Sequence, residues 1–412
     1  MSNSPWLSLP DAIATMLSQT QPVSVSEKTD VKAAVGRVLA TPVVASLNVP
    51  PCNNSAMDGY ALKSSDGQAG NTLKVVGAVF AGDSQSPTVL PGQCVRIMTG
   101  APIPADCDAV IIQENVSRED DTITLQTDTA ELANIRETGS DIARGDQLFD
   151  TGHRLTATDT MLLSSLGLAS VDVYRQLTIG LLATGDELVE AGNPLATGQI
   201  YESNRTGVAA LLQNWQVQIN NFGIVADEPE TLKQVLQEAQ QSCDVIISSG
   251  GVSVGDADFV KPVLDELGEI GFWKVAIKPG KPFAFGRLGN AVFCGLPGNP
   301  VSACVTTEQL VVPVIRHLQG ETGLGNGHRL TLKAQITRDI KRRAGRLDFQ
   351  RAMFSQNADG TLIVTPLAKQ SSGVMTSFSK ANCYMLIPAE ADGLKTGDWV
   401  EIQPFSIAGK LG

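Results

Sequence analysis

Histidine is scarce in this 412-residue chain. The three present, His153, His317 and His328, stand at no metal-ligand spacing. That argues against a zinc centre of the usual Cys/His kind. Cysteine is thinly spread: seven residues (Cys52, Cys94, Cys107, Cys243, Cys294, Cys304 and Cys383), an odd number with no CxxC pair. Such a set reads as reduced thiols of a cytosolic protein, several in apolar runs where they serve as small core residues. No apolar run approaches the ~18 residues of a membrane span. The opening MSNSPWLSLPDAIATML lacks the charged start and long apolar core of a secretory signal. HEXXH, Walker A and GxGxxG signatures are missing, as are internal repeats and low-complexity segments. Basic charge is in deficit, with 31 Lys and Arg against 43 Asp and Glu, a net charge of −12. Nucleic acid and anionic membrane are therefore poor partners. A small anion is not excluded, because one lysine–anion pair at ~4 Å and an effective dielectric of ~20 contributes about 4 kcal/mol.

What is present is a folded, multidomain α/β chain. Hydrophobic residues make up 42% and charged residues 18%, and the length implies roughly two to four domains. Residues 9–18 and 31–40 read as short helices, the second capped by Asp30. Short strands separated by Gly and Pro turns recur from Thr72 to Thr127, and a helix follows over Thr156–Leu166, closed by Gly167. The early helices and this one are expected to pack together as a connecting layer. From Leu177 the pattern alternates strand and helix, the mark of a doubly wound parallel sheet. After about Gly327 it turns all-β again. The expected divisions are a discontinuous helical linker over 1–45 and 139–177, a small β-domain over 46–138, a doubly wound domain over 178–326 and a C-terminal β-domain over 327–412.

The chemistry concentrates at predicted strand ends, where sheets of this class bind ligands. The stretch CDVIISSGGVSVGDAD (Cys243–Asp258) joins a β-branched strand to Ser248-Ser249-Gly250-Gly251 and then to Asp256 and Asp258. Glycines admit close backbone approach to a ligand, serines add hydroxyls, and acidic residues suit a phosphorylated ligand with a hard cation. Glu187 and Asp227 end two neighbouring strands. Opposite in charge is Lys278-Pro279-Gly280-Lys281-Pro282, with Lys274 just before it: prolines stiffen the turn and lower the cost of ordering its amines. Pro300 suits a first helical turn and puts Ser302 near a helix N-terminus. In the N-terminal half, Asp58 lies in a turn before Gly59, and Thr99 ends a strand.

Six ordered motifs carry a resemblance: NSAMDGYA (Asn54–Ala61), RIMTGAP (Arg96–Pro102), TGDEL (Thr184–Leu188), SSGGVSVGDADF (Ser248–Phe259), KPGKPFAFG (Lys278–Gly286) and GLPGNPVSA (Gly295–Ala303). Together they resemble the molybdopterin molybdenumtransferase family, MoeA in bacteria, also seen in the E domain of gephyrin. The resemblance implies an elongated four-domain homodimer whose doubly wound domain binds molybdopterin. It implies insertion of molybdenum from molybdate into adenylylated molybdopterin, with release of AMP and with Mg²⁺ as cofactor, in the cytoplasm. Lys278, Lys281, Ser302, Arg351 and Ser372 match the proposed oxyanion pocket. Asp227, Asp256 and Asp258 are the implied cation ligands, with Glu187 close by. Ser249, Gly250, Gly251, Ser253, Lys274, Pro297 and Pro300 are expected to contact substrate. Asp58 and Thr99 would act from the other subunit, with Arg136 and Asp141 shaping the pterin side or the subunit boundary. The molybdopterin adenylyltransferase and the cofactor-accepting enzymes are the further partners implied. Two alternatives stay open: an adenylyltransferase that makes the adenylylated substrate, and a non-catalytic scaffold.

Overall fold

The computed structural model describes residues 6–251, 260–323 and 329–405. At its centre, strands Gln218–Val225, Thr178–Thr184, Val245–Ser249 and Ala291–Leu296 lie side by side in that order, all parallel. Successive side chains point to opposite faces, and both faces are covered. Ile179, Leu181, Val245 and Ile247 pack on one side with Val208, Leu212, Val305 and Ile315. Leu182, Ile246 and Phe293 pack on the other with Leu232, Leu236 and Leu264. Helices Asn204–Leu212 and Pro229–Ser242 supply those two layers in turn, as the alternating pattern predicts. The sheet is not parallel throughout. Pro282–Leu288 runs antiparallel to Ala291–Leu296, and Gly268–Lys274 antiparallel to Pro282–Leu288. Only Gly289 and Asn290 separate Leu288 from its partner Ala291, and a parallel crossover needs a dozen residues or more.

After Leu296 the chain enters one long helical segment. Pro300–Thr306 is α, Thr307–Val311 widens to a π turn, and Val312–Leu318 is α again. The wide turn precedes Pro313, which has no N–H to continue the ladder.

Two expectations for the N-terminal part fail. Residues 31–40 form only a 3₁₀ turn over Val31–Ala33, although Asp30 does cap it, accepting from Lys32 N at 2.8 Å. Gly36 then turns with φ +80°, and Val38 and Leu39 bridge to Arg154 and Val173. Nor does helix Leu9–Ser18 join the Ala157–Ser165 helix in a connecting layer. Its Ala12, Ile13 and Met16 stripe is buried in the central core beside Val312 and Ile315. The Ala157–Ser165 helix, started by a Thr156/Asp159 capping box, packs instead on the Val31–Ala33 turn.

In the N-terminal half, six strands form one sheet in the order Ala109–Ile112, Gly59–Leu62, Gln93–Ile97, Thr72–Val79, Thr122–Leu125, Val116–Glu119. At the C-terminal end, Leu347–Gln356, Leu362–Pro366, Leu332–Ile336, Trp399–Pro404 and Cys383–Ile387 close on themselves, because the first also pairs with the last. Alternation again assigns the faces. Ala352, Met385 and Ile402 fill the inside, while Phe349, Tyr384 and Phe405 merge with the central core. This docking is extended by Ile277–Lys278, which pairs in parallel with Leu347–Asp348 and so fixes the lysine turn against the closed sheet. No helix among the described residues is long and apolar enough to cross a membrane.

Candidate active site

A cavity of about 1190 Å³ opens at the carboxyl ends of the central strands. Its floor is the glycine turn after Val245–Ser249. Gly250 and Gly251 have φ of +97° and +67°. A Cβ on Gly250 would stand 2.7 Å from the Thr184 carbonyl oxygen, and one on Gly251 2.2 Å from Val260 Cγ2. Both conformation and space therefore require glycine. Asn204, at the start of its helix, ties this turn to the next one: its Nδ2 donates to Ser249 Oγ at 2.8 Å and to the Gly298 carbonyl at 2.7 Å.

One wall is acidic. Glu187 and Asp227 line the cavity, and the Asp227 N–H donates to Asp186 Oδ1 at 3.2 Å. Burial, and after it the negative charges of Asp186 and Glu187, push the Asp227 carboxyl above its usual range. The same cavity has a basic lining from the lysine turn and the segment before Leu347: Lys278, Lys281 and Arg346. Lys278 Nζ lies 3.2 Å from Oδ2 of the buried Asp348, and Lys281 Nζ lies 5.2 Å from the centre of the Trp6 ring. Gly280 (φ +113°) lets the turn lie against Thr306, whose Cγ2 would be 2.7 Å from any Cβ there. Ser302 and Ser372 complete the polar lining with Pro297 and Pro300. The Val301 N–H donates to the Ser372 carbonyl at 3.1 Å and so holds the two serine segments together.

The fold thus gathers Glu187, Asp227, Ser249, Gly250, Gly251, Lys278, Lys281, Pro297, Pro300, Ser302 and Ser372 around one space. Other expected site residues stand elsewhere. Arg351 is 1% exposed, and its guanidinium donates to the Ser371 carbonyl at 2.9 Å and that of Lys369 at 3.4 Å. It braces the serine turn from behind and is not among the residues that line the cavity, whereas the oxyanion pocket was its expected place. Lys274 ends an edge strand outside the lining, and its carbonyl accepts from Leu7 N at 3.0 Å. Asp58 and Thr99 belong to the N-terminal sheet region and do not line this cavity, nor do the exposed Arg136 and Asp141. Ser253, Asp256 and Asp258 lie outside the described residues.

Sequence reasoning missed Arg346 and Tyr201 in the lining and the bridging role of Asn204. Arg346 had a signal: Lys341, Arg342, Arg343 and Arg346 form the densest basic run of an acidic chain.

Three family models divide the chain between them. The MoeA N-terminal region (domains I and II) matches residues 7–167, a probable molybdopterin binding domain matches 180–317, and the MoeA C-terminal region (domain IV) matches 333–405. A Haemophilus influenzae protein named molybdopterin molybdenumtransferase is 44% identical over 97% of this chain and 99% of its own. The chain belongs to the molybdopterin molybdenumtransferase family. A second relative of that name, from Nostoc, is 38% identical over 72% of this chain and 70% of its own. The crystal structure of the molybdopterin biosynthesis MoeA protein of Pyrococcus horikoshii OT3 superposes with a TM-score of 0.84 at 28% identity, over 97% of this chain and all of that one. As a family member the chain is a transferase of multidomain α/β build, and the cavity described above lies largely within its molybdopterin-binding segment.

Proposed function

We propose that this protein inserts molybdenum from molybdate into adenylylated molybdopterin, releasing AMP, as a cytoplasmic homodimer aided by Mg²⁺. The observation that carries the reading is that lysines and carboxylates line one cavity. Molybdate is a tetrahedral dianion and needs fixed cations and hydroxyls. Lys278, Lys281 and Arg346 supply the charge, and Ser302 and Ser372 the hydroxyls. The Gly250-Gly251 turn admits close approach of the substrate's phosphates, although the Gly250 N–H itself is donated to the Leu296 carbonyl at 3.2 Å.

The donor chemistry fits a hard cation. Burial first, and after it the charges of Asp186 and Glu187, hold the Asp227 carboxyl above its usual range, and an oxygen-bound divalent ion would offset that crowding of charge. No group of three or more potential ligands converges among the described residues, but Mg²⁺ commonly takes only one or two carboxylates besides substrate and water. Asp227, with Glu187 beside it, would hold the ion, which would neutralise charge on the phosphates. Asp256 and Asp258 remain further proposed ligands. The chain's own part is positioning: lysines orient the oxyanion, the glycine turn seats the phosphate, and no covalent enzyme intermediate is needed.

Asp58, Thr99, Arg136 and Asp141 would serve the cavity of a second copy. None of the four lines this chain's cavity, which supports that reading, as do Met57 (44% exposed) and Phe80 (54% exposed) near Asp58 and Thr99, apolar groups suited to a subunit boundary. Seven free cysteines suit a reducing compartment. The test is incubation with molybdate, Mg²⁺ and adenylylated molybdopterin. Cofactor and AMP in equal amounts are expected. Adenylylated product made from molybdopterin and ATP without molybdate would mean an adenylyltransferase instead, and no product in either assay would mean a scaffold.

A further inference from the structure

Trp6 lies 47% exposed beside two cations of the cavity's basic wall. The Lys281 ammonium sits 5.2 Å from the centre of its ring, and the Arg346 guanidinium 5.9 Å. Both fall within the ~6 Å reach of a cation–π contact. Lys281 and Arg346 both line the cavity, and neither has an ion-pair partner among the described residues. Lys278 differs, being tied to Asp348. Trp6 itself is fixed by its neighbour: Leu7 bridges Val275, its N–H donating to the Lys274 carbonyl at 3.0 Å and its carbonyl accepting from Ala276 N at 2.8 Å. The N-terminal segment is thereby stitched across the residues that lead into the lysine turn. A second cleft of about 420 Å³, lined by Trp6, Lys278, Arg342, Arg343 and Arg346, adjoins the first and shares Lys278 and Arg346 with it.

We propose that Trp6 is a positioning residue that holds Lys281 and Arg346 as a paired grip for a tetrahedral oxyanion. The role of this grip in molybdenum insertion rests on the function proposed above. Long cationic side chains lose rotamer freedom when they order on a ligand. An aromatic ring that already restrains both lowers that cost, and it does so without the neutralising charge a carboxylate would bring. The grip fits either molybdate or a phosphate of the nucleotide-bearing substrate.

The test measures affinity of the full chain for molybdate and, separately, for inorganic phosphate, in wild type, Trp6→Ala, Trp6→Phe and Arg346→Gln. Trp6→Ala should bind the gripped anion about three- to fivefold more weakly, the scale of an exposed cation–π contact. Trp6→Phe should recover most of that loss, and Arg346→Gln should weaken binding further. KM for molybdate should rise with kcat little changed, and Tm should stay at the wild-type value. Loss with molybdate alone assigns the grip to the metal oxyanion, and loss with phosphate assigns it to the substrate's phosphate. Equal affinities in wild type and Trp6→Ala for both anions overturn the grip, even where wild type makes cofactor. So does an equal loss in Trp6→Ala and Trp6→Phe with a lowered Tm, which would make Trp6 a structural strap only. A Trp6-dependent phosphate affinity in a protein that makes no cofactor would support the grip and count against the proposed reaction.

Discussion

Thr99 gives both of its donors to one oxygen of Asp58: the backbone N–H at 2.8 Å and the hydroxyl at 2.7 Å. The backbone bond first, and the hydroxyl bond after it, hold the Asp58 carboxyl below its usual range and so keep it charged in mildly acid solution. Thr99→Val keeps the backbone donor and loses the hydroxyl. Its Asp58 pKa, followed by NMR, should move up toward the ordinary value, and activity should fall about tenfold or more. Thr99→Ser should behave as wild type. If Asp58 serves a neighbouring copy, mixing the inactive Asp58→Ala and Asp227→Ala proteins should restore activity through mixed dimers.

Asp227 carries the opposite shift, and the sign of its effect on stability follows. A carboxyl raised in the folded protein favours folding below its unfolded pKa, and that contribution is lost as pH rises through the folded value. At neutral pH the charged group therefore weakens the fold. Asp227→Asn should abolish molybdenum insertion while raising Tm by about 1–2 °C. Mg²⁺ affinity, read by calorimetry, should decline as pH falls through a range above the 3.8 of an ordinary aspartate.

Gly251 leaves no room for a side chain, with φ +67° and Val260 Cγ2 2.2 Å from the position of an ideal Cβ. Gly251→Ala should lower stability by about 1–3 kcal/mol through strain and the displaced Val260. Chemical denaturation measures that loss. Activity should fall further than stability explains, because the turn is the cavity floor.

Six of the seven cysteines are buried and only Cys52 is exposed. Burial pushes the thiols of Cys94, Cys107, Cys304 and Cys383 up to about 12, so they are scarcely nucleophilic at neutral pH. A thiol reagent should modify one cysteine per chain in native buffer and seven in denaturant, as counted by mass spectrometry.

The parts of the site that were legible in sequence are local. Val245–Ser249 announces itself by β-branched residues buried on both faces, and its glycine turn must follow because the chain has to leave the sheet there. Glu187 and Asp227 fall at strand ends for the same reason. Contacts set by distant packing were not legible. Nothing near Arg351 indicates that its guanidinium turns inward to brace Ser371. The pairing of Lys278 with Leu347–Asp348 spans 70 residues. The 31–40 stretch has helical composition, yet Gly36 and the bridges of Val38 and Leu39 override it. Leu9–Ser18 reads correctly as a helix, but its amphipathic stripe does not say which core will bury it.

The most direct measurement is anomalous diffraction at the molybdenum edge from crystals soaked in molybdate with an adenine nucleotide. The account predicts a molybdenum peak in the central cavity, between Lys278, Lys281 and Arg346 on one side and Ser302 and Ser372 on the other. A peak away from that cationic wall, or none at soaking concentrations that support turnover, would contradict it.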